Sequence, residues 1–457
     1  MHITPRQTVF IILSFEGPDV YSLAGGLGVR VRGLSRTLAE SGYETHLFFI
    51  GDPDRRSEET LEGGRLHIHR WCQWISSLHR AGVYDGEEEK LRDWNHSLPP
   101  AVIDGLIAPA IEAGRNVVVM GEEWQTAASM NLISDSLYYR GLRDRVVMLW
   151  NANNTFSFWR INWGALAFAS TITTVSRYMK FKLWAEGQNP VVIPNGIPRA
   201  AIADPDASAV AALRAAAGAD YFGFKIGRFD PDKRWLMAVS AAAHLKHSGS
   251  TVKLIVRGGR EAHGAEVMTF ARTQGLEVAS ARTPDSLEGL VEVVRGHREA
   301  DVIHLTSYLR DDLVAVTYAA ADAVLANSGH EPFGLVGLEV MAAGGLAVTG
   351  STGEDYADGL HNALVVETDD PIELVTLLRL IKDRPSLAVS IRKRGRATAK
   401  DFTWERVIDQ LLLRIEFAAA QQSVRLAAAD EPARRPAERR RAPRRRVTRR
   451  TPSASNQ

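Results

Sequence analysis

The 457 residues include one cysteine, Cys72. A disulfide framework is thereby excluded, and a four-cysteine zinc site with it. No membrane span is expected either. Residues 8–15 (TVFIILSF) are an apolar run too short to cross a bilayer, and no other segment reaches about 18 uninterrupted apolar residues. Residues 1–7 lack the pattern of a secretory leader. The thirteen histidines show no H-E-x-x-H or comparable spacing, so no metal site is expected. These absences point to a reducing, cytoplasmic setting.

Overall charge excess is missing too: the formal net charge is +1. The distribution is uneven, however. Residues 431–450 hold ten arginines against Glu431 and Glu438, which is +8 and leaves about −7 for the rest. Beyond residue 427 the chain is mostly Ala, Arg and Pro, a composition that cannot bury a core. Residues 428–457 are therefore expected to be a disordered Arg-rich tail. Such a tail is most simply a solvated extension. Its functional reading is attachment to an anionic polymer or to the inner membrane surface.

What is present is ordinary globular composition, 45% hydrophobic and 24% charged, at a length that suits two to three domains. Strand-like runs alternate with helical stretches in both halves. In the first half strands are expected at 8–15, 45–50, 116–120, 146–149, 169–175 and 190–194. A glycine loop, Gly25-Gly26-Leu27-Gly28, follows the first, then a helix through residues 36–40. Residues 53–100 mix charge and aromatics and give no clear order. In the second half strands are expected at 222–227, 253–257, 302–305, 323–326 and 346–349, with a helix over 235–247. Short strands separated by helices of roughly 10–15 residues predict two doubly wound parallel sheets with a cleft at their carboxyl ends. An amphipathic helix at about 403–420 closes the folded part.

Residues 327–345, NSGHEPFGLVGLEVMAAGG, carry the strongest chemical signal. Pro332 and Gly334 place Glu331 in a loop, and a helix opens at Leu335. Free backbone N–H groups at such a junction suit a phosphate or a sugar hydroxyl. Glu339, about one turn into the helix, can accept hydrogen bonds from vicinal hydroxyls, and Glu331 can do the same. His330 beside it reads as a loop residue. The second signal is Gly227-Arg228-Phe229-Asp230-Pro231-Asp232-Lys233 after a strand. Two cations there can neutralise a diphosphate, Arg228 with a fork and Lys233 as a point charge. The third is the Gly25–Gly28 loop, where Gly26 and Gly28 allow close backbone approach to a ligand. Its spacing is not the dinucleotide G-x-G-x-x-G, which disfavours a nicotinamide dehydrogenase.

Taken together these residues resemble glycosyltransferase family 4, retaining enzymes of the GT-B fold, over roughly residues 8–420. The most specific part is E-P-F-G-L-V-G-L-E-V-M-A-A-G, with Glu331 and Glu339 eight positions apart. G-R-x4-K at Gly227–Lys233 and Asn195-Gly196-Ile197 support it. The resemblance implies α/β architecture of two Rossmann-like domains facing a central cleft. Residues 1–203 would be the acceptor-side domain and 204–402 the nucleotide-sugar domain. Residues 403–427 would be a helix packing back on the first domain. It further implies a retaining hexosyltransferase using a nucleotide sugar and a carbohydrate or other hydroxyl acceptor, with no cofactor or metal required. Arg228, Lys233 and Glu331 would be catalytic. Gly26, Gly28, Phe333, Gly334, Leu335 and Glu339 would bind the donor.

Glu122-Glu123-Trp124-Gln125-Thr126-Ala127 resembles the H-D-W-x-T-A element of the bacterial glycogen and starch synthase branch. It makes Glu123, with Asn151 and Asn153, candidate acceptor-side residues. Leu23 stands where that branch has lysine in K-x-G-G-L, and Leu149–Asn153 (LWNAN) replaces a histidine-bearing element. A relative with a different donor or acceptor is expected. A glucan synthase proper and a non-catalytic sugar-binding scaffold are the alternatives.

Overall fold

A computed structural model describes residues 2–427; the Arg-rich tail lies outside the described residues. The first sheet contains β1 (Thr8–Leu13), β2 (Glu44–Ile50), β3 (Glu58–Leu61), β4 (Leu66–Trp71), β5 (Asn116–Glu122), β6 (Val146–Ala152), β7 (Thr171–Thr174) and β8 (Val191–Val192). Their spatial order is β3-β4-β2-β1-β5-β6-β7-β8, and every pairing is parallel except β3 with β4. The central strands β1 and β5 are buried along their whole length because helices cover both faces.

The second sheet contains β9 (Tyr221–Ile226), β10 (Val252–Arg257), β11 (Val278–Ala281), β12 (Val302–Leu305), β13 (Ala323–Ala326), β14 (Ala347–Thr349) and β15 (Leu364–Val365). It is parallel throughout, in the order β11-β12-β10-β9-β13-β14-β15. The helix expected at 235–247 is present as Trp235–His247.

Three local expectations need correction. The helix after the glycine loop runs Gly26–Glu40 and so begins inside the loop, with Gly25 as its cap. Residues 53–100, unordered from sequence, supply β3, β4 and the helices Gln73–Ser76 and Glu87–Val102. Strands β11 and β15 were not anticipated.

The last helix, Trp404–Gln421, follows the second domain in sequence but packs on the first. Trp404, Ile408, Leu411 and Ile415 join Phe10, Leu34 and Leu38 in one apolar cluster. Two glycines make room for its tryptophan. A Cβ at Gly33 would lie 2.1 Å from Trp404 Nε1, and one at Gly196 would lie 2.6 Å from Trp404 Cδ2. The chain thus crosses between the domains twice, and the two crossings are hydrogen-bonded side by side. Ile197 N–H donates to Phe402 O at 2.9 Å, and Trp404 N–H donates to Ile197 O at 3.0 Å.

Candidate active site

In a doubly wound sheet, chain connections leave in opposite directions from two neighbouring strands, and a crevice opens at their carboxyl ends. Here those pairs are β1 with β5 in the first sheet and β9 with β13 in the second. The segments singled out above lie at the exits of these four strands: 25–28, 122–127, 227–233 and 327–334.

In the second domain, Gly227 follows β9 with φ 154°, and the chain makes a short turn over Pro231–Lys233. Arg234, in the left-handed region at φ 49°, starts the next helix. The turn carries Lys233 to the loop after β13, where its Nζ donates to Glu331 Oε2. The pair is partly exposed, at 27% and 18% of the two side chains. Arg228 stands exposed at the strand end with Asp230 at 3.9 Å as its nearest carboxylate. Gly329 N–H donates to Asp232 O at 2.7 Å, so the two loops are also tied through backbone.

Glu331 is held by a third segment. Its N–H donates to Thr352 Oγ1 at 2.9 Å. A Cβ on Gly353 would lie 2.2 Å from Glu331 O, an approach only glycine permits. Gly334, φ 79°, opens the helix Leu335–Ala342 and accepts at its carbonyl from the Tyr356 hydroxyl. The Phe333 ring is buried between Tyr356 and Phe402, so it anchors the loop. Glu339 is partly exposed, with the Tyr318 hydroxyl donating to it at 3.4 Å. Burial, then the nearby Asp311, push its carboxyl up to about 7. Glu354 is likewise raised to about 7 by burial and by Glu331.

Beneath this cluster lies Lys225, which sequence reading passed over as a strand residue. It is buried and donates to Leu325 O at 2.9 Å and Asn327 Oδ1 at 2.7 Å. Burial, then Lys233 and Arg234, hold its ammonium well below the usual lysine range. It fixes β9 to the exit of β13, and hence Lys233 to Glu331.

In the first domain the glycine loop has a partner the sequence did not disclose. Glu16, just after β1, accepts from Gly25 N–H at 2.9 Å and Gly28 N–H at 3.0 Å, and from the Tyr84 hydroxyl at 2.6 Å. The helix start is thus capped by an internal carboxylate. Gly28 has its amide spent there, whereas a Cβ at Gly26 would meet nothing within 4 Å. The neighbouring cluster is a buried network. Arg30 forks to Glu122 at 3.0 Å and to Asn195 Oδ1 at 2.7 Å. Asn151 and Asn153 both donate to Glu122, at 3.0 and 2.9 Å. Glu123 accepts from the backbone of Asn153 at 2.6 Å and of Asn154 at 3.1 Å. Burial pushes its carboxyl up to about 8. Its φ of 66° is a left-handed conformation that costs a non-glycine residue on the order of 1–3 kcal/mol.

The structure therefore joins Lys233 to Glu331, and Glu123, Asn151 and Asn153 to one another. Asn151 is 1% exposed, and its amide is committed to Glu122 and to the Thr173 hydroxyl. It positions the network and presents nothing to the cleft. Glu16, Arg30 and Lys225 were missed. Glu16 follows a strand, Arg30 lies in a helix and Lys225 in a strand, and only the folded contacts separate each from a surface residue.

Comparison with known proteins follows the same division. Residues 214–398 match the family described as glycosyl transferases group 1. D-inositol 3-phosphate glycosyltransferase of Geodermatophilus obscurus is 28% identical over 201 residues, which is 43% of this chain and 40% of that protein. The chain thus aligns with about two fifths of that relative's length. Among solved structures, sucrose-phosphate synthase from Thermosynechococcus elongatus superposes with a TM-score of 0.62 at 22% identity, over 91% of this chain and all of that one. The catalytic domain of starch synthase IV from Arabidopsis thaliana, bound to ADP and acarbose, gives 0.65 at 16% identity, over 91% and 99%. These likenesses establish the GT-B fold. Among the described residues no helix is long and apolar enough to cross a membrane.

Proposed function

We propose that this chain, whose residues 214–398 match the family described as glycosyl transferases group 1, transfers a hexose, with retention, from a nucleotide sugar to a hydroxyl acceptor. The observation that carries the reading is the Lys233–Glu331 pair at the switch point of the second sheet, with exposed Arg228 beside it. Arg228 and Lys233 would neutralise the donor diphosphate. Glu331, released from Lys233 as the diphosphate takes over the cation, would accept from hexose hydroxyls. Glu339 would accept from the ribose, and backbone at Phe333–Leu335 would complete the donor site. Gly26 is the part of the first domain's glycine loop open to the cleft. The acceptor oxygen would attack the anomeric carbon on the face from which the diphosphate departs. The C–O bond to phosphate breaks, and the acceptor's proton passes to the leaving phosphate oxygen. No protein nucleophile is required; positioning and preorganised charge lower the barrier.

The direct test is a thermal-shift screen against nucleotide sugars, followed by assay of the preferred one for transfer or slow hydrolysis. A donor at about 100 times its Kd should stabilise the protein by roughly 2.7 kcal/mol through mass action. Loss of turnover with retained folding in Glu331→Ala is the expected companion result. Turnover undiminished in that variant would refute the site.

The raised Glu339 carboxyl adds a pH dependence. Ligand hydroxyls donate to the ionised form, so binding displaces the proton and is favoured as pH rises through about 7. Calorimetry with an intact nucleotide sugar, which has no phosphate ionisation near neutrality, should show affinity rising across that pH and levelling above it. Glu339→Gln should flatten the slope.

A further inference from the structure

At the other end of the first sheet, near the amino ends of β2 and β4, alternate residues bring imidazoles and carboxylates onto one face. Glu44 and His46 are two apart on β2, and His67 and His69 are two apart on β4. Parallel pairing sets His46 opposite His67. The rings of His46 and His67 stack with centroids 4.5 Å apart. One ligand atom from each of Glu44, His46 and His67 lies within 4.8 Å of the others.

One oxygen of Glu44, Oε2, accepts from Arg115 at 2.6 Å, and the other, Oε1, faces the histidines, where the contacts are one hydrogen short. Glu58 Oε1 contacts His69 Nδ1 at 3.3 Å, His69 Nε2 contacts His46 Nδ1 at 3.0 Å, and His46 Nε2 contacts Glu44 Oε1 at 3.1 Å. Each contact needs one positive hydrogen or ion between its two atoms. Two neutral imidazoles supply only two N–H groups. If His69 donates to Glu58 and His46 donates to His69, the His46 Nε2 lone pair faces the Glu44 carboxylate, and His67 lies alongside.

We propose that Glu44, His46 and His67 bind a divalent transition-metal ion of the zinc class, with His69 and Glu58 orienting His46 from behind. Imidazole with carboxylate suits zinc, nickel or copper rather than magnesium or calcium. The 3.1 Å separation of His46 Nε2 and Glu44 Oε1 fits two ligands about 2.0–2.2 Å from one zinc ion at a near-tetrahedral angle. Small side-chain rotations bring in His67. An orienting acceptor behind a metal-binding histidine fixes its tautomer, and His69, itself held by Glu58, stands in that position behind His46. The ion would clamp β4 to β2, away from the carboxyl-end crevice where the sugar chemistry is placed. A search for helical ligand spacing overlooks this site, because on a strand the ligands alternate.

The test uses the untagged full chain freed of metal by chelation. Zinc binding is followed by calorimetry, with stoichiometry from elemental analysis and melting temperature as an independent readout. One equivalent should bind and raise the melting temperature. His67→Gln and Glu44→Gln should each abolish the high-affinity equivalent, and His69→Ala should weaken it about 10–100-fold. His67 is partly exposed, so that variant is expected to fold. Absence of saturable binding would overturn the proposal. So would binding unchanged in the Glu44→Gln/His67→Gln double variant.

Discussion

Lys233→Ala is expected to reduce turnover by about 10²–10³-fold in kcat while leaving the fold intact. The reasoning starts from exposure. The Lys233–Glu331 pair reaches solvent, and a pair of that kind contributes no more than about 1 kcal/mol to stability. Removing the lysine also relieves the repulsion felt by buried Lys225, so the folded state loses little. Donor chemistry loses the charge that meets the departing diphosphate. That charge matters more in the transition state than in the bound ground state, and kcat should fall more than KM rises. Steady-state kinetics with the donor found by thermal shift, alongside a denaturation curve, separates the two effects. Full activity in Lys233→Ala would remove the lysine from the mechanism. A large loss of stability would show that its role is structural.

Arg30→Ala should be the most destabilising single change at the first-domain network, at about 3–5 kcal/mol. Arg30 and Glu122 are 2% and 0% exposed. Without the guanidinium, Glu122 keeps two asparagine amides and no counter-charge. The Asn195 carbonyl also loses its donor. Urea unfolding measures the cost. Adding Glu122→Gln to Arg30→Ala should recover part of it, since no buried charge is then left alone. A loss within about 0.5 kcal/mol, the range of ordinary surface substitutions, would show that water reaches the site and replaces the arginine.

The second domain was the more legible half. Its two chemical loops are marked by Gly227, Pro231, Pro332 and Gly334, residues that break regular structure and so advertise a strand exit. The two sheets were readable for a related reason: buried parallel strands such as VVVM at 117–120 are continuous apolar runs. The first domain hides its logic in contacts. Glu16 is a single acid after a strand, and nothing in the sequence ties it to amides at Gly25 and Gly28. Arg30 sits in V-R-V-R, indistinguishable from a solvated helix face. β3, the sequence EETL at a sheet edge, is exposed at every position and has no apolar alternation to reveal it. β4 does alternate, as LHIHRW, but two of its three outward positions are histidines, and they read as scattered until pairing with β2 aligns them.

The paired crossings at Ile197 and at Phe402–Trp404 bear on how the molecule can be divided and how it can move. Cutting the polypeptide after the first sheet would strip that half of the segment shielding Phe10, Leu34 and Leu38, leaving a greasy trough open to water. Neither half is therefore an autonomous fragment in the order of its sequence. Any opening or closing of the crevice must bend both connectors together, as a two-ply strap rather than a single thread. Such a strap permits folding about one line and resists twisting about the other.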